Sequence, residues 1–233
     1  MGKYKGNWTK KLIVVLLATF AAAGILLVGC NEQAQTRSSF SYAESSEPSS
    51  LDPTQVDETT GGNIARYLFD GLVTYDSETS EVKPAVAENW ESTDDATVYT
   101  FHLRDGLKFS DGAGINAQTF VDSWTRALAP ATKSSTAMAV FQPVKGASAL
   151  ADGETDKLTG VQAVDANTLK VTLDYPMADF VSLLGHPAAS PVPAAAADNK
   201  QSSFAENPVG NGPYQLKEWR HDDSIVLDFY PWS

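Results

Sequence analysis

The chain has one cysteine, three histidines and three methionines in 233 residues. A lone cysteine excludes an internal disulfide, so no cross-linked framework holds the fold. His102, His186 and His221 fall at no i, i+4 or cysteine-paired spacing, and no metal site is expected from them. No Gly-x-Ser-x-Gly elbow occurs, and no glycine loop suited to phosphate is present. Catalytic residues and cofactors are therefore not predicted. Basic side chains are also few: 17 Lys and Arg stand against 29 Asp and Glu, a net charge of −12. A surface of that sign repels polyphosphate and argues against a nucleic-acid partner.

A long uncharged apolar run occurs once, from Leu12 to Val28, behind Lys3, Lys5, Lys10 and Lys11. That is the n-region and h-region of a secretory signal. The run is also close to bilayer-spanning length, so a retained membrane helix is the alternative. Leu27-Val28-Gly29-Cys30 favours the first, because it resembles a bacterial lipobox. Residues 1–29 then read as a lipoprotein signal peptide, Cys30 as the lipidation site, and 30–39 as a flexible tether. Two or more acyl chains on Cys30 would hold the protein on the extracytoplasmic face of the cell membrane. Removal of the four lysines leaves 13 basic and 29 acidic residues, a net of −16.

The rest alternates helix and strand signals. Residues 39–44 have short β character. A helix starting at Thr59 or Thr60 places Ile64, Tyr67 and Leu68 on one face and ends near Gly71, followed by a strand over Leu72–Tyr75. Val98–Arg104 alternates Tyr99, Phe101 and Leu103 with polar residues and predicts a half-buried strand, which Leu107–Phe109 could continue after the Asp105-Gly106 turn. Asn116 is a candidate cap for a helix over 117–128 that Pro130 stops. Val161–Val164 with Thr168–Leu173, and Tyr214–Trp219 with Ser224–Phe229, predict two hairpins. The sum is a mixed α/β fold with antiparallel ribbons.

Three stretches carry a resemblance to the peptide- and nickel-binding proteins of ABC transporters, the oligopeptide-binding branch in particular. The first is Ser50-Leu51-Asp52-Pro53 with Tyr67-Leu68-Phe69-Asp70-Gly71-Leu72. The second runs from Pro84 to Trp90, then Tyr99–Arg104, Phe109-Ser110-Asp111-Gly112 and Phe120–Arg126. The third is Asn211-Gly212-Pro213-Tyr214-Gln215-Leu216 with Trp219. These motifs shape scaffold turns and strands more than they hold ligand.

The resemblance implies a periplasmic-binding-protein-like first lobe, with 40–69 and 194–233 as its core and 70–193 as an inserted subdomain. It implies an oligopeptide held by backbone hydrogen bonds in a cleft between two lobes, with permease and ATPase subunits as partners. Asp57, Glu58 and Thr59 fall where relatives line that cleft. Thr136 replaces a ligand-facing tyrosine, and His186 is a further candidate. Each has a plainer reading: Asp57 and Glu58 suit a helix start, and Thr136 suits an ordinary loop. At Tyr230-Pro231-Trp232-Ser233 the sequence departs from the family pattern, and the resemblance implies a chain that lacks the second lobe. A fragment is expected, with a complete single-lobe protein as the alternative. Rival functions are a lipid-anchored receptor without transport, a binder of dipeptide, nickel chelate or sugar, and a secreted hydrolase.

Overall fold

The computed structural model describes residues 39–197 and 202–230. The chain divides into two compact units, residues 1–43 and 44–233. The signal peptide, Cys30 and almost all of the tether lie outside the described residues. The β character expected over 39–44 does not become a strand: no regular structure forms there. Alternating aromatics supply propensity, but a strand also needs a partner ladder.

In the larger unit, helix α1 (Thr59–Leu68) buries Ile64, Ala65 and Leu68 on one stripe. Strands β1 (Val73–Tyr75) and β2 (Val82–Pro84) form a small antiparallel hairpin. A four-stranded antiparallel sheet follows, built from β3 (Ala87–Ser92), β4 (Val98–Leu103), β5 (Val161–Ala163) and β6 (Thr168–Thr172) in the order β3-β4-β6-β5. Tyr99, Phe101 and Leu103 of β4 are buried and their neighbours are half-exposed, as period-two alternation requires. Leu107–Phe109 does not extend β4. Two Asp-Gly turns, with Gly106 at φ 73° and Gly112 at φ 89°, fold the segment back so that Lys108 bridges Gly114.

Helix α2 (Ala117–Leu128) starts in a capping box: the Asn116 side chain accepts from the Thr119 amide, and the Thr119 hydroxyl accepts from the Asn116 amide. Phe120 and Trp124 are fully buried, and the Trp124 indole donates to the Ala189 carbonyl at 2.9 Å. Pro130 opens a short 3-10 turn after the helix. Further short helices follow: α3 (Ala137–Phe141), α4 (Ala147–Ala151), α5 (Phe180–Leu183), α6 (Ala194–Ala197) and α7 (Ser202–Glu206). The chain then forms the hairpin of β7 (Tyr214–Arg220) and β8 (Ser224–Phe229).

Two hydrophobic clusters result. One gathers the sheet and α2, from Leu72 to Ala189. The other joins Leu51, Val56, Ile64, Leu68 and Phe69 to Val192, Ala196 and Phe204, with half-buried Leu216, Trp219, Ile225 and Leu227 of the hairpin against it. Polar clasps tie the pieces together. Arg126 of α2 is nearly buried and pairs with Asp52 at 2.5 Å. It also donates to the Thr54 hydroxyl and the Ala196 carbonyl. The Asn211 side chain accepts from the Asp70 amide at 3.1 Å and donates to the Asp70 carbonyl at 2.9 Å. The Gly212 amide donates to the Leu68 carbonyl, and a Cβ at Gly212 would stand 2.7 Å from the Tyr67 carbonyl oxygen. Asn-Gly-Pro is thus a clasp on the end of α1 as well as a turn into β7.

Candidate functional site

The segment just before α1 and the stretch from the Pro130 turn to α3 are stitched side by side. The Gln55 side-chain amide donates to the Thr132 carbonyl at 3.1 Å, and the Ser135 hydroxyl donates to the Asp57 carboxylate at 3.1 Å. These two bonds hold the segment that carries Asp57, Glu58 and Thr59, three of the five predicted ligand residues, next to the segment that carries a fourth, Thr136. Asp57 and Thr59 are exposed. Glu58 stands at the N-cap of α1 but makes no side-chain bond to the helix it precedes. Its carboxylate instead accepts from the Ser49 amide and hydroxyl at 3.0 and 3.3 Å, and from the Asp57 amide at 3.2 Å. Gly61 allows this fold-back, since a Cβ there would stand 2.6 Å from the Glu58 carboxylate.

Thr136 occupies the N-cap of α3, again without a capping bond. Its hydroxyl oxygen is buried and has no hydrogen-bond partner among the described residues. Buried hydroxyls are nearly always satisfied, so an orphan marks a place where something else is expected to bind or rotate.

His186 lies elsewhere. It sits against the last turn of α1, where Arg66 donates to the Gly185 carbonyl at 3.4 Å. Arg66 is seven residues beyond Thr59, about 10 Å along the helix at its usual rise. The His186 Nδ1 accepts from the Ala188 amide at 3.1 Å, which caps the 3-10 turn Pro187–Ala189. Burial first, and the Arg66 charge second, hold its pKa below the ordinary value. His186 lines an open cleft together with Arg66, Asp70, Tyr75 and Ser190. It is not part of the wall formed by the other four.

Sequence reasoning missed Gln55, Ser135 and Ser49, which set that wall, and Asp70. Ser135 gives no sequence signal in a Ser-Ser-Thr run. Asp70 does: it is an acid inside the apolar stretch Leu68-Phe69-Asp70-Gly71-Leu72, and burial pushes its carboxyl up to about 6.

Residues 81–232 match the family model described as bacterial extracellular solute-binding proteins, family 5 Middle. The chain belongs to this family. It is 39% identical over 223 residues to the periplasmic oligopeptide-binding protein OppA of Escherichia coli K12, covering 93% of this chain and 39% of the relative. It is 38% identical to a probable deoxycholate-binding periplasmic protein, YgiS, of the same organism, covering 94% of this chain and 42% of the relative. Among solved structures, Haemophilus influenzae OppA in complex with the peptide RPPGFSPFR superposes with a TM-score of 0.74 at 35% identity, over 80% of this chain and 37% of that one. The chain therefore spans about two fifths of the length of the curated relatives it matches. The described residues form a mixed α/β lobe of the periplasmic-binding-protein type, as the family resemblance implies. Among the described residues, no helix is long and apolar enough to cross a membrane.

Proposed function

We propose that this chain supplies one wall of an oligopeptide-capturing cleft in a substrate-binding lipoprotein of an ABC importer, acting without catalysis. The observation that carries the reading is the stitched wall: Asp57 and Thr59 are exposed, and on the adjoining segment the Thr136 hydroxyl has no partner among the described residues. A peptide laid along this wall in extended form would meet carboxylates and hydroxyls at its edge. Rotation of Thr136 about χ1 would turn its hydroxyl toward such a ligand. Glu58, already committed to Ser49, would hold the wall's shape. His186 would meet a more distant part of the ligand.

The second wall of the cleft would come from the part of the longer relatives that this chain does not span. The other jaw excludes water that competes for the peptide's backbone hydrogen bonds, so this chain alone should bind peptide weakly. The second hydrophobic cluster, drawn from 51–69 and 196–227 with Val192 joining it, favours a division into 40–69 with 194–233 and an inserted 70–193. Lipidation at Cys30 after removal of residues 1–29 would tether the protein by 30–39 to the outer face of the membrane, where permease and ATPase subunits would be its partners.

The likeness to a deoxycholate-binding relative favours a second reading, an amphipathic apolar ligand in the same cleft. Titration of this sequence, extended by the remainder of a full-length relative, with peptides and with deoxycholate separates them. Heat on peptide addition that is lost in a D57N/T136A variant supports the first. Heat only with deoxycholate, or variant-independent binding, would sink it.

A further inference from the structure

We propose that the cleft beside the last turn of α1 binds a small zwitterion, with an ammonium group on the Asp70 carboxylate and a carboxylate on the Arg66 guanidinium. This site lies apart from the wall of Asp57, Glu58, Thr59 and Thr136, shares only His186 with the proposed peptide contacts, and does not rest on that reading. Arg66, Asp70, Tyr75 and His186 are the titratable groups that line it, from α1, the segment after it, β1 and the turn before Pro187. Arg66 and Asp70 are four residues apart, yet they form no ion pair among the described residues. Asp70 is held through its backbone by Asn211, and no side chain among the described residues bonds its carboxylate. Burial alone accounts for its raised pKa. A carboxylate partly withdrawn from water without a partner is an unfavourable arrangement that a bound cation relieves.

Arg66 is exposed and makes one long bond to a carbonyl, which leaves donors free for a second partner. The other two groups add no charge at neutral pH. His186 is held neutral by burial and by Arg66. The Tyr75 hydroxyl donates to the Ser182 carbonyl. One unpaired anion and one under-used cation therefore face the same space. A lone amine would meet repulsion from Arg66, and a lone acid would meet Asp70; a ligand with both charges satisfies both.

NMR titration with glycine, ethylamine and acetate tests this, followed at the Asn211 side-chain amide that touches the Asp70 backbone. Glycine should saturate at a concentration about tenfold below either half-ligand. D70N and R66Q should each remove that advantage. Glycine binding should also fade as the pH falls through about 6 and Asp70 is protonated. Equal responses to glycine and ethylamine, or no saturable shift with glycine, would overturn the proposal. D70N preserves the backbone clasp, and R66Q alters an exposed side chain, so the native spectrum of either variant keeps the test readable.

Discussion

The sheet-centred core and the smaller core under the terminal hairpin are assembled by different means. The first draws its buried residues from one continuous stretch, Leu72 to Ala189, and fills its centre with Phe101, Phe120, Trp124 and Phe141 at zero exposure. The second collects pieces distant in sequence, and the hairpin that closes it contributes only half-buried Leu216, Trp219, Ile225 and Leu227. The first rests mainly on apolar burial, with the Trp124 indole bonded to the Ala189 carbonyl inside it. The second adds directional polar clasps: Arg126 on Asp52, Asn211 on Asp70, and Glu47 accepting from the Trp219 indole at 2.7 Å with His221 beside it. A region short of apolar area depends more on each polar contact than a region rich in it.

The sharpest way to break this contrast is Trp124→Ala, which should cost about 3–5 kcal/mol in urea unfolding, against about 1 kcal/mol for Ile225→Ala in the hairpin. Comparable losses would mean that the two cores are equally packed. Arg126→Met leaves Asp52 buried without its cation and should cost about 3 kcal/mol, with part recovered in the D52N/R126M double variant. Hydrogen exchange should then show residues 50–56 and the hairpin opening before β4. Uniform opening would merge the two regions into one cooperative unit.

Asp70 acts in the opposite direction. Its folded pKa of about 6 lies above its ordinary 3.8, so its contribution to stability is greatest below 3.8 and is lost as the pH rises through about 6. Asp70→Asn should therefore stabilise the chain by about 2–3 kcal/mol at pH 8 and by almost nothing at pH 3. A pH-independent effect would contradict the burial argument. Asn116→Ala has the smallest expected effect, about 1 kcal/mol, and should slow nothing in the hairpin, since it removes only the cap of α2.

The same contrast governs what the sequence made legible. In β4, α2 and the two hairpins, periodicity, an Asn cap and Asp-Ala-Asn or Arg-to-Asp turns are local signals, and each element formed within a residue or two of its expected place. β3 passed unseen because Ala87-Glu88-Asn89-Trp90-Glu91-Ser92 carries four polar residues; it exists because β4 offers it a ladder. The short helices α3 to α7 also escaped, being set by packing more than by caps. At the candidate site, Asp57, Glu58, Thr59 and Thr136 could be named from the resemblance. That Ser135 and Gln55 stitch them together, and that His186 stands apart, depended on contacts across 77 or 78 residues that no local pattern encodes.

The central claim is that the stitched segments form one wall of a peptide cleft. An NMR titration of this chain with the nonapeptide RPPGFSPFR tests it most directly. The expected result is weak, millimolar-range binding, with shifts concentrated at residues 55–59 and 132–137 and absent from D57N/T136A. Shifts confined to the hairpin, or micromolar affinity unaffected by that variant, would contradict it.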